Sequence, residues 1–379
     1  MEHPKHLSTP LWDQLEAQIN LGMQGRNRGL PMGFKKLSKY ISNIQPGRYD
    51  LIGGATGTGK TALVDSAYMY NPIKYITAEK ETDFSIKILY YSIEITPLQK
   101  IAKMVCRKLF EDHNILVDSE SLFSRGDRSL LDKDVAKKVF ATRDYFEKML
   151  SDHVIFYSAA SPDYVWMTVK DYVEKNGTII RNSNKMIQQY IPHKPNEIVL
   201  LIIDHISLID KNSKDSNKKE AIDRLSKMLV QFRNLFNISP VVVSQFNRGI
   251  EGMDRKRLDS LEPQLSDFKD TGSTQEDANT SIALFNPFRY GIEKHNGYDI
   301  KRLNRNYRSL SILKNRDGQD NLSLGLFFMG ANGLFRELPP SQEFISNPEL
   351  YNKLLKYSNG NYTQALFFQQ LLCIQHVCK

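Results

Sequence analysis

The chain has 379 residues, of which 41% are hydrophobic and 25% charged, and carries a formal net charge of +8. This is ordinary globular composition, long enough for two or three domains of usual size. It speaks against a membrane span, because no run of about 18 uncharged apolar residues occurs, and against a disulfide framework, because there are only three cysteines (Cys106, Cys373, Cys378), which fits a reducing cytosol. The N-terminus lacks the basic-then-apolar shape of a secretion signal. The basic excess favours a polyanion such as nucleic acid through counterion release, but surplus surface lysine explains it equally well.

In chain order, residues 8 to 21 read as an amphipathic helix, with Thr9 placed to cap it, Pro10 in its first turn, and Leu11, Leu15 and Ile19 repeating every four residues. The Gly/Arg-rich "GMQGRNRGLPMGF" reads as a linker. Such a helix either packs on its own domain or is an arm laid on a neighbouring subunit. From about residue 47 strands and helices alternate. "RYDLIGG", "ILYYSIE", "VIFYSAA", "IVLLIID" and "PVVVSQ" are continuous apolar runs, as expected of strands covered on both faces in a parallel sheet. Leu63, Val64, Ala67 and Tyr68 have helical spacing, as do Ile222, Leu225, Leu229, Phe232 and Phe236. "YRSLSILKNR" and "SLGLFFMGANGLFREL" look like antiparallel additions to the sheet edge. The expectation is an α/β fold with a mostly parallel central sheet flanked by helices. It divides the chain into an N-terminal helix and arm (1–30), a core (31–338) and a poorly patterned tail (339–379).

Gly54, Ala55, Thr56, Gly57, Thr58, Gly59, Lys60 and Thr61 satisfy G-x-x-x-x-G-K-[ST], after an apolar strand and before a helix beginning at Lys60 or Thr61. Small residues let successive backbone N–H groups close around phosphate oxygens, the lysine reaches the β/γ-phosphates, and the hydroxyl ligates Mg²⁺. Asp204 ends "EIVLLIID", where a carboxylate can hold the Mg²⁺ water shell. Glu94 ends "ILYYSIE", where a buried acid is expensive unless functional or paired, and is the candidate base orienting water. Gln245 ends "PVVVSQ" and could sense the γ-phosphate. Four strands thus deliver polar groups at their C-terminal ends, where ligands bind in an open α/β sheet.

The order of these motifs resembles the DnaB family of hexameric replicative helicases, whose ATPase core is RecA-like. "GFKKLSKYISNIQPGRYDLIGGATGTGKTAL" resembles the family's entry into the phosphate loop. "YYSIEITPLQ" is similar to the segment of its catalytic glutamate, "LLIIDHISLI" to its Walker B strand, and "VVVSQFNR" to its sensor strand. "PQLSDFKDTGSTQEDANTSIALF" resembles its pore loop, and "ILKNRDG" its arginine-finger strand. The likeness covers roughly residues 30 to 338.

The resemblance implies ATP and Mg²⁺ as cofactors. Lys60 and Thr61 would hold phosphate and metal, Glu94 would be the general base, Asp204 the Walker B acid and Gln245 the sensor. Arg316, with Lys314 beside it, would reach into the next subunit's nucleotide, where arginine's fixed fork suits phosphate. Lys269, Asp270 and Gly272 fall in the DNA-contacting loop, where an arginine commonly stands in place of Lys269. Arg248, Arg255, Lys256 and Arg257 either line a basic pore or form a solvated loop. No aromatics punctuate either loop, so single-stranded DNA would be tracked along its backbone. The implied partners are single-stranded DNA, further copies of the chain in a hexamer, a primase and a helicase loader, in the cytoplasm of a bacterium or a phage-infected host.

Departures from the family pattern suggest a divergent, phage-encoded member. The N-terminal helical domain has no counterpart ahead of the core, and "RNSNKMIQQYIPHKPNE" and "NPIKYITAEKETDFS" lengthen the core. "CIQHVC" leaves a tetrahedral zinc site one ligand short, and His205 reads as packing or supporting. Two rivals share the motifs: a RecA-type ATPase acting as a nucleotide-controlled scaffold on DNA or protein, and a DNA-packaging ATPase.

Overall fold

The computed structural model describes residues 8–78, 82–127, 130–247, 249, 261–268 and 272–358. Helix α1 (Ser8–Met23) starts one residue before Thr9, so Thr9 is inside the helix rather than its cap. Its residues Leu11, Trp12, Leu15, Ile19 and Met23 are all exposed.

The fully buried β1 (Asp50–Gly54) runs into the glycine loop. From the loop α2 (Lys60–Val64) continues through a π-helical segment (Asp65–Tyr70) into α3 (Asn71–Ala78). Strand β2 (Ser85–Ser92) leads to α4 (Pro97–His113). That helix starts sharply because Thr96 and Gln99 form a reciprocal capping box with Pro97 in the first turn, and it stops at Asn114 in the left-handed region (φ 55°). Helices α5 (Ser119–Leu122), α6 (Lys133–Phe140) and α7 (Arg143–His153) precede β3 (Val154–Tyr157). After α8 (Pro162–Asn176), β4 (Gly177–Arg181) and β5 (Ile187–Pro192) pair as an antiparallel hairpin. The expected insertion is therefore ordered: Ile179, Ile187 and Tyr190 pack against the core beside α9 (Lys218–Phe236), with the Tyr190 and Phe236 rings 5.5 Å apart.

Strands β6 (Glu197–Asp204), β7 (Ser239–Gln245) and β8 (Thr280–Phe285) complete the parallel part; the short helix α10 (Gly272–Asp277) leads into β8. Beyond a two-residue pair, β9 (Lys294–His295) with β10 (Tyr298–Asp299), the edge strands are β11 (Tyr307–Asn315), β12 (Leu322–Met329) and β13 (Leu334–Glu337). Among the described residues the main sheet has nine strands, ordered β13-β12-β11-β8-β1-β7-β6-β2-β3. β8, β1, β7, β6, β2 and β3 are parallel, and β11, β12 and β13 are antiparallel additions. Apolar layers cover both faces, which explains the unbroken hydrophobic runs.

Beyond residue 338, two helices (Ser341–Ser346 and Glu349–Ser358) close a third apolar cluster. Phe344, Leu350, Tyr351, Leu354 and Tyr357 pack there against Phe110, Tyr298, Phe327 and Leu334. Residues 341–358 are thus part of the folded body, and "CIQHVC" lies outside the described residues.

Candidate nucleotide site

Strand order decides what meets the loop. β1, β7, β6 and β2 are neighbours in that sequence, so their C-terminal ends bring the glycine loop, Gln245, Asp204 and the segment after β2 to one edge. Gly57 and Gly59 take positive φ (75° and 99°), and a Cβ on Gly54 would stand 2.7 Å from the Leu284 carbonyl oxygen, so glycine is required at these turns. Thr58 Oγ1 and Lys60 Nζ both donate to the Ala55 carbonyl, at 2.9 and 3.0 Å. Burial pulls the Lys60 pKa down to about 8, against the opposing pull of Glu94 and Asp204. Thr61 Oγ1 donates to Asp204 Oδ1 at 3.1 Å, and the Gln245 amide donates to Thr56 Oγ1.

Glu94 differs from expectation. β2 ends at Ser92, and the Glu94 side chain, two residues on, is 48% exposed. The desolvation argument therefore fails for it; its position supports it instead. Glu94 lines the same cavity, of about 350 Å³, as Thr56, Lys60, Thr61, His205 and Gln245. His205 Nε2 is 3.7 Å from Glu94 Oε2. Burial lowers the His205 pKa, opposed by Glu94 and Asp204.

Several residues at the site carry no sequence signal. Gln99 and Lys103 line the cavity from α4. Arg289 Nη1 donates to the Thr56 carbonyl and Arg308 Nε to that of Thr58, each at 2.6 Å, bracing the loop from β8 and β11 sides. Behind Asp204, the Lys100 ammonium is 3.0 Å from Asp204 Oδ2 and 3.2 Å from Asp65 Oδ1. Burial is the largest influence on Lys100 and pulls its pKa down, yet the two carboxylates outweigh it and keep the ammonium above the ordinary lysine value.

Lys314 and Arg316 are not with these groups. β11 ends at Asn315, and Arg316 N–H donates to the Asn279 carbonyl at 3.0 Å. Lys314 Nζ donates to the carbonyls of Gln275 and Glu276 at 2.5 and 3.0 Å, and Arg316 Nη2 also to that of Glu276. Both cations therefore sit on the C-terminal carbonyls of α10, where cations are favoured. Gly272 is the first residue of α10; Lys269, Asp270, Arg248, Arg255, Lys256 and Arg257 lie outside the described residues. Phe268, next to Lys269, stacks edge-on against Phe246, next to Gln245 (5.2 Å).

A magnesium ion fits this donor set. A hydroxyl and a carboxylate side by side are hard oxygen ligands of the kind that hold Mg²⁺ when phosphates and water supply the rest. Among the described residues no cluster of three or more His, Cys, Asp or Glu could hold a metal alone. A larger cleft of about 600 Å³ lies at the opposite edge, near Pro46, Phe84, Glu197 and Asn237. It sits at strand starts and holds none of the motif residues, so the strand-end cavity is the candidate site.

A phosphate loop at the C-terminal edge of a mostly parallel sheet, with acid and amide from adjacent strands, is the arrangement of a RecA-like ATPase domain. Similarity narrows the class. The model of the DnaB-like helicase C terminal domain matches residues 29–337, and the chain belongs to that family. The replicative DNA helicase DnaB of Mycoplasma pneumoniae is 25% identical over 262 residues, 68% of this chain and 46% of that protein. Replicative DNA helicase DnaC of Bacillus subtilis is 23% identical over 316 residues, 83% of this chain and 57% of that protein. The chain thus spans about half the length of these relatives. In fold it is similar to a solved ATPase domain, with a TM-score of 0.62 at 17% identity over 89% of this chain and 100% of that one. It is equally similar, with a TM-score of 0.62 at 19% identity over 89% of this chain and 69% of that one, to a DnaB-like replicative helicase whose structure describes its interactions with primase. No helix among the described residues is long and apolar enough to cross a membrane.

Proposed function

We propose that this chain is an ATP-driven replicative DNA helicase motor that assembles as a ring, a hexamer, around single-stranded DNA and moves 5′ to 3′ along it. Lys60 and the loop amides bind the phosphates, Thr61 and Asp204 hold Mg²⁺, Glu94 orients the attacking water and Gln245 senses the γ-phosphate. Mg²⁺, when bound, would neutralise charge that develops on the phosphates.

The position of Arg316 is the observation that carries the ring. In register, Asn315 of β11 lies beside Thr280 at the start of β8, and Thr280 lies beside Asp50 at the start of β1. The phosphate loop leaves the other end of β1. A finger at that opposite edge cannot serve its own chain's nucleotide, but a heterologous, head-to-tail contact can bring it to a neighbour's. The exposed apolar stripe of α1 supports the same reading as an arm, and α4, α6 and α7 offer a matching groove lined by Ile101, Val105, Phe140 and Phe146. The step from Gln245 through Phe246 and Phe268 to Lys269 is a short physical route from the lost γ-phosphate to the DNA loop. In this reading a primase and a loader are the protein partners.

The test is a forked-duplex unwinding assay with ATP, beside mass measurement with and without nucleotide. Strand displacement by a ring is the expected result. A monomer that hydrolyses ATP without displacing a strand would leave the nucleotide-controlled scaffold as the better reading.

A further inference from the structure

Lys100 is a lysine with 1% of its side chain exposed, a burial that cations tolerate only when paired and hydrogen-bonded. It is fully engaged. Its ammonium donates to Asp204 Oδ2 at 3.0 Å, to Asp65 Oδ1 and Oδ2 at 3.2 and 3.3 Å, and to the Tyr90 hydroxyl at 2.8 Å. The Tyr90 hydroxyl in turn lies 2.7 Å from Asp65 Oδ1 and 3.3 Å from Asp204 Oδ2. Four elements converge here: α4 brings Lys100, β2 Tyr90, β6 Asp204, and the start of the π-helical segment Asp65.

The two oxygens of Asp204 are therefore not equivalent. Oδ2 faces inward and is taken by Lys100 and Tyr90; Oδ1 faces the loop and meets Thr61 Oγ1 at 3.1 Å. Without the ammonium, two carboxylates would share a buried pocket and repel, and nothing of opposite charge would hold Oδ2 inward. We propose that Lys100 is a positioning residue for the magnesium–nucleotide site: held between Asp65 and Asp204, it turns Asp204 Oδ1 toward Thr61. This rests on the reading that Thr61 and Asp204 hold Mg²⁺. Partners that orient a metal-binding side chain typically change metal affinity about 10- to 100-fold when removed.

The variant that isolates orientation from charge is the double substitution Lys100→Met with Asp65→Asn. It removes one positive and one negative charge, so the net charge of the cluster is unchanged. The probe is a fluorescent ATP analogue titrated with Mg²⁺, read as binding, with circular dichroism as the folding check. The expected result is a half-saturating Mg²⁺ concentration raised about tenfold, with analogue binding in EDTA within about twofold of wild type. A folded double variant with wild-type Mg²⁺ dependence would overturn the proposal. Should that variant not fold, Lys100→Gln with Asp65→Asn keeps hydrogen-bonding groups in the pocket but removes the ammonium; a rise in half-saturating Mg²⁺ supports the proposal and a wild-type dependence overturns it. Asp204→Asn separates the premise: if it leaves Mg²⁺ dependence intact, the metal assignment itself fails, whatever Lys100 does.

Discussion

Replacing Arg316 by alanine removes a guanidinium that, by its place in the sheet, no nucleotide in the same chain can meet. β1 and β8 run in register from Asp50 opposite Thr280 to Gly54 opposite Leu284. Arg316 lies at the Thr280 level, against the Asn279 carbonyl, and the loop begins at the Gly54 level. Four steps along a strand, from residue 50 to residue 54, separate the levels by about 13 Å at ~3.3 Å per residue. An arginine finger contributes a factor of about 10³ to 10⁵ in turnover, or ~4–7 kcal/mol of barrier. The hydrogen bond to the Glu276 carbonyl lost with it is exposed and worth at most ~1 kcal/mol of stability, so the two effects are separable. Arg316→Ala should fold, bind ATP and turn over below ~1% of wild type. Mixed with Lys60→Ala subunits, it should regain activity, because an intact loop then faces an intact finger. Random mixing at equal amounts, with a half chance for each side, restores about one interface in four. The assay is steady-state ATP hydrolysis across mixing ratios, with native mass measurement verifying mixed rings. Activity no greater than the sum of the two variants, in rings containing both, would refute a finger in trans.

Glu94→Gln should leave ATP binding intact and lower turnover by about 10²- to 10⁴-fold in a single-turnover assay; normal turnover removes Glu94 from the role of base. Lys269→Ala should weaken single-strand binding more than ATP binding and reduce the slope of log affinity against log salt by about 1, whereas equal loss of both contradicts a DNA contact. Lys60 titrates near 8 in the free chain, and a bound triphosphate favours its charged form. Nucleotide affinity should therefore be full below about pH 8 and fall as pH rises above it, by up to about tenfold per unit, with proton uptake on binding; calorimetry in two buffers reads this, and a flat profile to about pH 9.5 sinks it. Phe344 is 2% exposed, edge-on to Tyr298 and tilted against Tyr351, so Phe344→Ala should cost about 3–5 kcal/mol in a denaturant melt, against less than ~0.5 kcal/mol for a peripheral tail.

Legibility in the sequence followed the range of the interaction. The phosphate loop was readable because its requirements are met by consecutive residues: small turns at Gly57 and Gly59, then Lys60 and Thr61 at the helix start. The parallel strands were readable because burial on both faces removes alternation. Asp204 and Gln245 follow from those strands, since each is the last residue of one. Glu94 was proposed on an argument the fold does not bear out: a strand-end acid suggested burial, but β2 ends at Ser92 and the carboxylate is half exposed. The terminal helices were missed because their evidence is distant. Leu350, Leu354 and Tyr357 have helical spacing, but the partners they cover, among them Phe110, Tyr298, Phe327 and Leu334, are gathered only by the fold.

Lys100 marks the other limit. On α4 it looks like any helix-surface lysine, between Gln99 and Ile101, and its meaning appears only when β2 and β6 set Tyr90 and Asp204 against it. The same logic bears on Lys314 and Arg316. In sequence they are two strand-end cations; in the fold they hold the carbonyls of α10, the helix that begins where the Lys269 loop ends. For either cation to reach a neighbour's phosphates, those bonds must break. In the proposed ring, a finger that leaves α10 to engage nucleotide would also release the carbonyls of Gln275 and Glu276 on the helix that follows the proposed DNA-contacting segment. In the proposed ring the two couplings would be equal by linkage, tying the proposed DNA contact of one subunit to the proposed nucleotide contact of the next through half-buried Lys314 and exposed Arg316.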